Sequence, residues 1–246
     1  MKFFYYVVLV FSVLVAFPVY SENKTVKFTS LEWPPYTSAE MRNQGASVAV
    51  AKAAFKAVDI DLLVYFFPWK RAVFLAIKKP YYDGYFPEYY ADALNKDCIF
   101  SEPIGSSPLG FAELKSQPIK WHTLSDLVNY NIGVVRGYVN TAAFDLMSAV
   151  GSLTVDRANN DMMNLLKLQK KRHQLAVIDK NVLHYLLMTK PRLTDSKTDI
   201  QFNKTLLEEK KLYLCFKKSH RGKVLVNKFN QGLKQINVKE IMASYF

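Results

Sequence analysis

The 246-residue chain is poor in the residues that metal centres, phosphate loops and disulfide frameworks require. It has two cysteines, four histidines and nine glycines. No histidine pair has the spacing of a metal motif, and there is no cysteine cluster for zinc, no glycine-rich phosphate loop and no nucleophile elbow. Aromatic residues make up 14% of the chain, far more than a disordered sequence carries. We therefore expect a folded protein that has no resident metal or other cofactor and no visible hydrolase constellation.

Only the N-terminus carries a long apolar run. Lys2 precedes the apolar stretch 3–19, which stops at Tyr20-Ser21-Glu22. A charged start, an apolar core and a small residue before the cut are typical of a secretory signal peptide. The run has about 17 residues, the lower limit for crossing a bilayer, so an uncleaved anchor is the alternative. We predict a signal peptide over residues 1–21 and a mature chain in the periplasm.

The two cysteines, Cys98 and Cys215, each lie in an apolar, strand-like run. Export to an oxidising compartment would permit one disulfide between them. Free buried thiols are the favoured interpretation, because cysteine is among the most buried residue types.

Strand and helix patterns alternate along the mature chain. In open α/β sheets this order favours parallel strands with helices on both faces, and two such units indicate two α/β lobes. The segments 103–114 and 208–216 are predicted to link the lobes. The predicted strands cover residues 26–29, 62–67, 85–86, 131–135, 175–178 and 212–216, and the predicted helices cover 46–58, 69–79, 140–150, 162–169, 182–188 and 224–236.

Polar and aromatic side chains follow the predicted strands, at the edge where open α/β sheets bind ligands. Aromatic walls, a guanidinium, a helix N-terminus and a carboxylate are what a small charged solute needs. The candidate ligand-binding residues at these strand ends are Trp33, Tyr36, Trp69, Arg71, Glu88, Tyr89, Arg136, Gly137, Tyr138 and Asp179.

Structural roles remain open for several of these residues. Trp33 and Trp69 are equally suited to the core. Arg71 and Arg136 could equally be solvated surface residues. Asp179 could equally cap the helix that follows it.

Seven segments in order over some 190 residues resemble the family 3 solute-binding proteins of bacterial polar amino-acid uptake. The resemblance implies the type II periplasmic binding fold, in which two lobes joined by two hinge strands close around a ligand. It also implies that residues 22–112 and 212–246 form lobe one and residues 113–211 form lobe two. The segments are Trp33-Pro34-Pro35-Tyr36, Pro68-Trp69-Lys70-Arg71-Ala72, Tyr82-Asp83-Gly84-Tyr85-Phe86-Pro87, Phe100-Ser101-Glu102-Pro103-Ile104, Ile132-Gly133-Val134-Val135-Arg136-Gly137, Ala176-Val177-Ile178-Asp179-Lys180 and the strand 212–216.

The same resemblance implies roles for particular residues. Tyr36 and Trp69 match aromatic residues that sandwich the ligand. Asp179 matches the carboxylate that holds an α-amino group. Gly137, Tyr138 and Thr141 match the strand-to-helix turn that meets the ligand carboxylate.

The chain departs from the family at one position. Amino-acid binders carry an arginine after the third strand that clamps the α-carboxylate, but the corresponding segment here, 90–95, has none. Two interpretations stay open: Arg71 or Arg136 supplies the cation, or the ligand is not an amino acid.

The sequence is compatible with four functions. The favoured one is an exported, monomeric binding protein that passes a small polar solute to an inner-membrane ABC transporter. The alternatives are a dehydratase-like enzyme that uses Glu88 as general acid, a ligand sensor that acts on a separate receptor, and electrostatic binding to nucleic acid or anionic lipid. The net charge of +12 motivates the last, but the basic residues 204–239 are spaced like a solvated face, so we expect no nucleic-acid partner.

Overall fold

A computed structural model describes residues 25–194 and 199–246 of the chain. The predicted signal peptide lies outside these residues. Among the residues described, no helix combines the length and the apolar character needed to cross a bilayer.

The described residues form an α/β fold with ten strands and eight α-helices. The strands are β1 (Thr25–Ser30), β2 (Asp61–Phe66), β3 (Gly84–Tyr89), β4 (Cys98–Phe100), β5 (Gly105–Leu114), β6 (Asn131–Val135), β7 (Thr154–Ala158), β8 (Leu175–Asp179), β9 (Ile200–Phe202) and β10 (Glu208–Lys217). The helices are α1 (Ala46–Lys56), α2 (Trp69–Lys78), α3 (Ala142–Ala149), α4 (Asp161–Gln169), α5 (Lys180–Thr189), α6 (Pro191–Thr194), α7 (His220–Leu233) and α8 (Val238–Ala243).

The strands join in the order β2-β1-β3-β10-β5-β8-β6-β7, with β4 on β10 and β9 on β5. Parallel pairs (β1–β2, β1–β3, β6–β7 and β6–β8) lie on either side of the long antiparallel strands β5 and β10. Strands β1–β4 belong to one half of the molecule and β6–β9 to the other. The two lobes and the two linking strands of the predicted fold are confirmed. The predicted lobe boundaries fall inside β5 and β10 and stay a prediction.

Aromatic rings pack against one another in both halves, within one continuous hydrophobic core. In the first, the ring of Phe28 on β1 packs edge-on against Phe216 on β10 with centroids 5.1 Å apart, and Phe229 of α7 packs against Phe55 of α1 at 4.8 Å. In the second, Phe111 on β5 packs against Trp121 at 5.4 Å. Amphipathic helices cover this core because their apolar residues recur at helical spacing.

Several elements differ from the sequence-based expectation. Strand β3 runs on to Tyr89, so Glu88 and Tyr89 lie inside the strand and not after it. β7, β9 and α8 were not predicted, because they are short and lack a long periodic pattern.

The expectation of free thiols was wrong, because Cys98 on β4 and Cys215 on β10 form a disulfide. The two residues are 117 positions apart in the sequence, and their Cα atoms lie 5.3 Å apart. Antiparallel pairing of β4 with β10 brings them together. That pairing is a tertiary contact that neither apolar run reveals.

Removing this disulfide with Cys98→Ser and Cys215→Ser together should destabilise the protein. A bond that closes so long a loop typically contributes about 2–4 kcal/mol by restricting the unfolded chain. In a domain of this size that corresponds to a melting temperature lower by roughly 2–4 °C per kcal/mol. Calorimetry with and without reductant measures the effect, and the double variant should be insensitive to reductant. An unchanged melting temperature in the wild-type protein on full reduction would contradict the prediction.

Candidate ligand-binding site

Five of the predicted strand-end residues line a small cavity between the two halves of the molecule. The cavity has a volume of about 30 Å³, which holds one or two water molecules. Both halves contribute to it, since its lining residues include Trp33, Trp69, Glu88, Tyr89, Tyr138 and Leu212. This volume is smaller than a solute of amino-acid size.

Asp179, at the end of β8, joins three parts of the molecule. Its Oδ1 accepts hydrogen bonds from the backbone N–H groups of Asn181 and Val182, at 2.7 and 2.8 Å, and so caps α5. Its Oδ2 accepts one from the hydroxyl of Tyr36, in the first half, at 2.9 Å and one from Ser107 on β5 at 2.5 Å. From the sequence, capping α5 and lying at the binding site were alternative roles for Asp179. In the structure the same carboxylate caps α5 and bonds to Tyr36 of the other half.

A hydroxyl chain continues from this carboxylate into the first half. The hydroxyls of Ser107 and Tyr89 lie 2.5 Å apart, and the amide of Asn181 donates to the hydroxyl of Tyr36 at 2.9 Å. The ring of Trp33 stacks on that of Tyr36, with centroids 4.6 Å apart. These buried side chains fix one end of the cavity.

Trp69 closes the other end. It is the first residue of α2 and is only 7% exposed. Its indole N–H donates to the carbonyl oxygen of Gly137, in the second half, at 3.0 Å. Its ring meets the edges of Tyr85 and Tyr138, with centroids 5.5 and 6.1 Å away. Trp69 is therefore both a wall of the cavity and a contact between the halves.

Asp161 is a buried site residue that the sequence analysis missed. It begins α4 and accepts a hydrogen bond from the hydroxyl of Tyr138 at 3.1 Å. Asn160 and Asp161 cap and begin a helix shortly after β7, the same arrangement that identified the other strand ends, but β7 was not predicted. Ser107, Asn181 and Lys210 were also missed, because two of them lie inside predicted linking segments.

Burial dominates the titration of the three carboxyl groups at the cavity. It raises the pKa of Glu88 to about 8, of Asp161 to about 7 and of Asp179 to about 6. Hydrogen bonds from neighbouring hydroxyl and N–H groups, and the ammonium of Lys210 near Glu88, oppose this rise without cancelling it. Near neutral pH, Glu88 is therefore mostly protonated and Asp179 mostly ionised.

Neither predicted arginine lines the cavity. Arg71 is exposed, and its guanidinium lies 5.3 Å over the ring of Phe67. Arg136 is exposed as well. Thr141 is buried and caps α3 by accepting from the N–H of Phe144 at 3.2 Å. From the turn at 136–141, the side chain of Tyr138 lines the cavity and the carbonyl oxygen of Gly137 accepts the hydrogen bond from Trp69.

The described residues contain no group of three or more histidine, cysteine, aspartate or glutamate side chains placed to hold a metal ion. The chemistry that the cavity offers is recognition by carboxyl groups, phenols and aromatic faces.

No protein-family model and no curated protein matches the chain. Solved structures do match. The fold is that of the two-lobed periplasmic binding proteins, and ligand-binding proteins and sensor domains share it with this chain.

Three of these structures illustrate the range of the fold. The ligand-binding core of GluR0 from Nostoc punctiforme, in complex with L-glutamate, has a TM-score of 0.72 at 16% identity, covering 90% of this chain and 99% of its own. The substrate-binding protein of an amino acid ABC transporter has a TM-score of 0.70 at 15% identity, covering 90% and 99%. A histidine kinase sensor domain with similarity to periplasmic binding proteins has a TM-score of 0.76 at 14% identity, covering 91% and 96%. At these identities the likeness concerns the fold and leaves the ligand open.

Proposed function

We propose that the protein is exported to the periplasm, where as a monomer it captures a small polar solute between its two lobes and delivers it to an inner-membrane ABC transporter. Residues 22–112 with 212–246, and residues 113–211, would be the lobes that move. The observation that carries the proposal is the cavity between the halves. Aromatic rings and the buried carboxyl group of Glu88 line it, and hydrogen bonds from Trp69 and Tyr36 hold the two halves together around it.

The same contacts suggest how closure works. Trp69 to Gly137 and Tyr36 to Asp179 each join the first half to the second, so both hydrogen bonds must break for the cavity to open. Strands β5 and β10 are the connections about which the lobes would turn. Binding would favour the closed form because the solute contacts both halves only there.

The proposal is binding without turnover. The compared structures are binding proteins and a sensor domain. Glu88, which the dehydratase alternative uses as general acid, lines the cavity beside aromatic rings. In that position it can contact a bound solute without taking part in any reaction.

A ligand sensor that acts on a separate receptor is the second candidate, and the TM-score of 0.76 with a kinase sensor domain favours keeping it. Cells lacking the protein separate the two. Loss of uptake of the identified solute supports transport, whereas normal uptake with loss of a transcriptional response to that solute supports sensing.

The binding proposal is tested by a thermal-shift screen on protein freed of co-purified ligand by unfolding and refolding. The panel holds amino acids, small peptides, organic acids and amines. A ligand at 100 times its dissociation constant should add about 2.7 kcal/mol to the free energy of unfolding, which raises the melting temperature by several degrees. If no solute class shifts the melting temperature, the proposal fails.

Trp69→Phe, which keeps a ring but removes the indole N–H, should weaken the binding of any solute found by about tenfold, because the closed form loses the hydrogen bond to Gly137. Trp121→Phe is the matched control. Trp121 is also buried and its indole N–H also donates a hydrogen bond, to Asn203 at 3.2 Å, but it lies away from the cavity. We expect that variant to lose stability and keep its affinity by calorimetry. Equal affinity losses in both would argue against the site.

A further inference from the structure

The polar lining of the cavity is acidic and has no arginine. Glu88 and Tyr138 line it directly, Asp161 accepts from the Tyr138 hydroxyl, and Asp179 interacts electrostatically with Asp161. All three carboxyl side chains are at most 6% exposed. Such groups are buried at a cost unless a cation or hydrogen bonds compensate them.

Lys210 is the one buried lysine near this cluster among the described residues, and it is already engaged. Its ammonium lies 3.2 Å from a carboxylate oxygen of Glu208 and 5.4 Å over the ring of Tyr89. It also acts on Glu88, lowering the pKa of that carboxyl against the effect of burial. The side chain thus shows how an ammonium sits against this acidic and aromatic wall.

Trp33 connects the cavity to this cluster. Its ring lines the cavity and is 6% exposed. Its indole N–H interacts with Asp161 and opposes the rise that burial causes in the pKa of that carboxyl.

From this arrangement we infer that the cavity takes a small organic amine that carries no carboxylate, with its ammonium at Glu88, its carbon atoms against the aromatic rings, and Asp161 and Asp179 adding negative charge from behind the lining. The inference rests on the proposed function and narrows it to one chemical class. A free α-amino acid fits poorly, because its carboxylate would share the cavity with Glu88, and the exposed Arg71 and Arg136 lie outside the cavity.

The net charge of +12 does not decide against a cation. At physiological ionic strength the Debye length is about 8 Å, so exposed lysines and arginines are screened from a buried site. The groups in contact with the ligand therefore decide whether the cavity prefers a cation or an anion.

Matched pairs of compounds test the inference. Putrescine and ornithine, cadaverine and lysine, and ethanolamine and serine each differ by one carboxylate. Binding is followed by thermal shift and titration calorimetry on the stripped, refolded protein. We expect at least one amine to bind tenfold or more tightly than its carboxylated partner. Equal or tighter binding of the carboxylated compound in every pair that responds would overturn the inference. A response confined to neutral or acidic solutes would also overturn it and leave the proposed function standing. If no solute of any class binds, both fail.

The pH dependence gives a second readout. The titratable groups of the lining are Glu88, Tyr89 and Tyr138. Asp161, Asp179, the phenols of Tyr36 and Tyr85 and the ammonium of Lys210 lie behind them and interact with them. A cation stabilises ionised carboxylates, so binding releases protons and tightens as the pH rises from 6 to 8.5, while the amine itself stays protonated. Calorimetry in buffers of different ionisation enthalpy should show this proton release. Proton uptake, or weaker binding at pH 8.5, would contradict the inference.

Variants identify the carboxyl groups responsible. Glu88→Gln and Asp161→Asn each remove one charge with little change of shape, and each should weaken amine binding by tenfold or more and reduce the proton release. Asp156→Asn is the control, since Asp156 pairs with Lys167 at 2.8 Å on β7, away from the cavity. Unchanged amine affinity in both cavity variants, with folding verified by circular dichroism, would overturn the inference.

Discussion

Replacing Asp179 by alanine is expected to lower the free energy of unfolding by about 3–5 kcal/mol and to abolish solute binding. The change removes the cap of α5, which alone is worth about 1 kcal/mol. It also removes the carboxylate acceptor of the buried hydroxyls of Tyr36 and Ser107, leaving Tyr36 only the more distant Ser106 carbonyl at 3.3 Å, and a lost buried acceptor costs about 1–3 kcal/mol. Chemical denaturation measures the stability and calorimetry the affinity.

Asp179→Asn separates the two roles of the residue. Its amide oxygen still caps α5, and its NH₂ group donates to the hydroxyl oxygens, so we expect a loss of stability below about 1.5 kcal/mol. The negative charge is gone, so affinity for a cationic or amine-bearing solute should fall by 10-fold or more.

Ser219→Ala controls for capping alone. Ser219 caps α7 by accepting from the N–H of Gly222 at 3.0 Å and has an exposed position. Its loss should cost about 1 kcal/mol with no change in affinity. An Asp179→Ala protein no less stable than Ser219→Ala would show that the carboxylate does not join the two halves.

Replacing Gly232 by alanine is the second large expected effect. In an ordinary helix this change stabilises by about 1 kcal/mol. Here a Cβ at position 232 would lie 1.9 Å from the carbonyl oxygen of Ala54, because α7 packs directly on the backbone of α1. The backbone cannot yield as a side chain would, so we expect the protein to lose about 3 kcal/mol or more.

The neighbouring exposed residue provides the comparison for this prediction. Gln231→Ala in the same helix introduces alanine without a clash and should leave the melting temperature within about 2 °C of wild type. A melting temperature of Gly232→Ala equal to or higher than that of the wild-type protein would contradict the close packing of α7 on α1.

Much of the candidate site was predictable because it lies at or near strand ends, although Glu88 and Tyr89 are the last residues of β3 itself and do not follow it. Trp33, Trp69, Glu88, Tyr89, Tyr138 and Asp179 were all selected on that pattern, and all line the cavity or bond to the groups that surround it. The pattern works because the carboxyl ends of neighbouring parallel strands meet at one edge. It failed for Asp161, since the short strand before that residue has no clear alternation.

The sequence by itself determined the alternation of strands and helices, the two α/β units and the chemistry at the strand ends. These are local properties, and periodicity over a few residues encodes them. The tertiary structure alone decided which distant groups meet. Tyr36 and Asp179 are 143 residues apart, and Cys98 and Cys215 are 117. It also decided that both candidate arginines stay outside the cavity, because the direction of a side chain at a strand end depends on the packing of its neighbours and not on its own sequence.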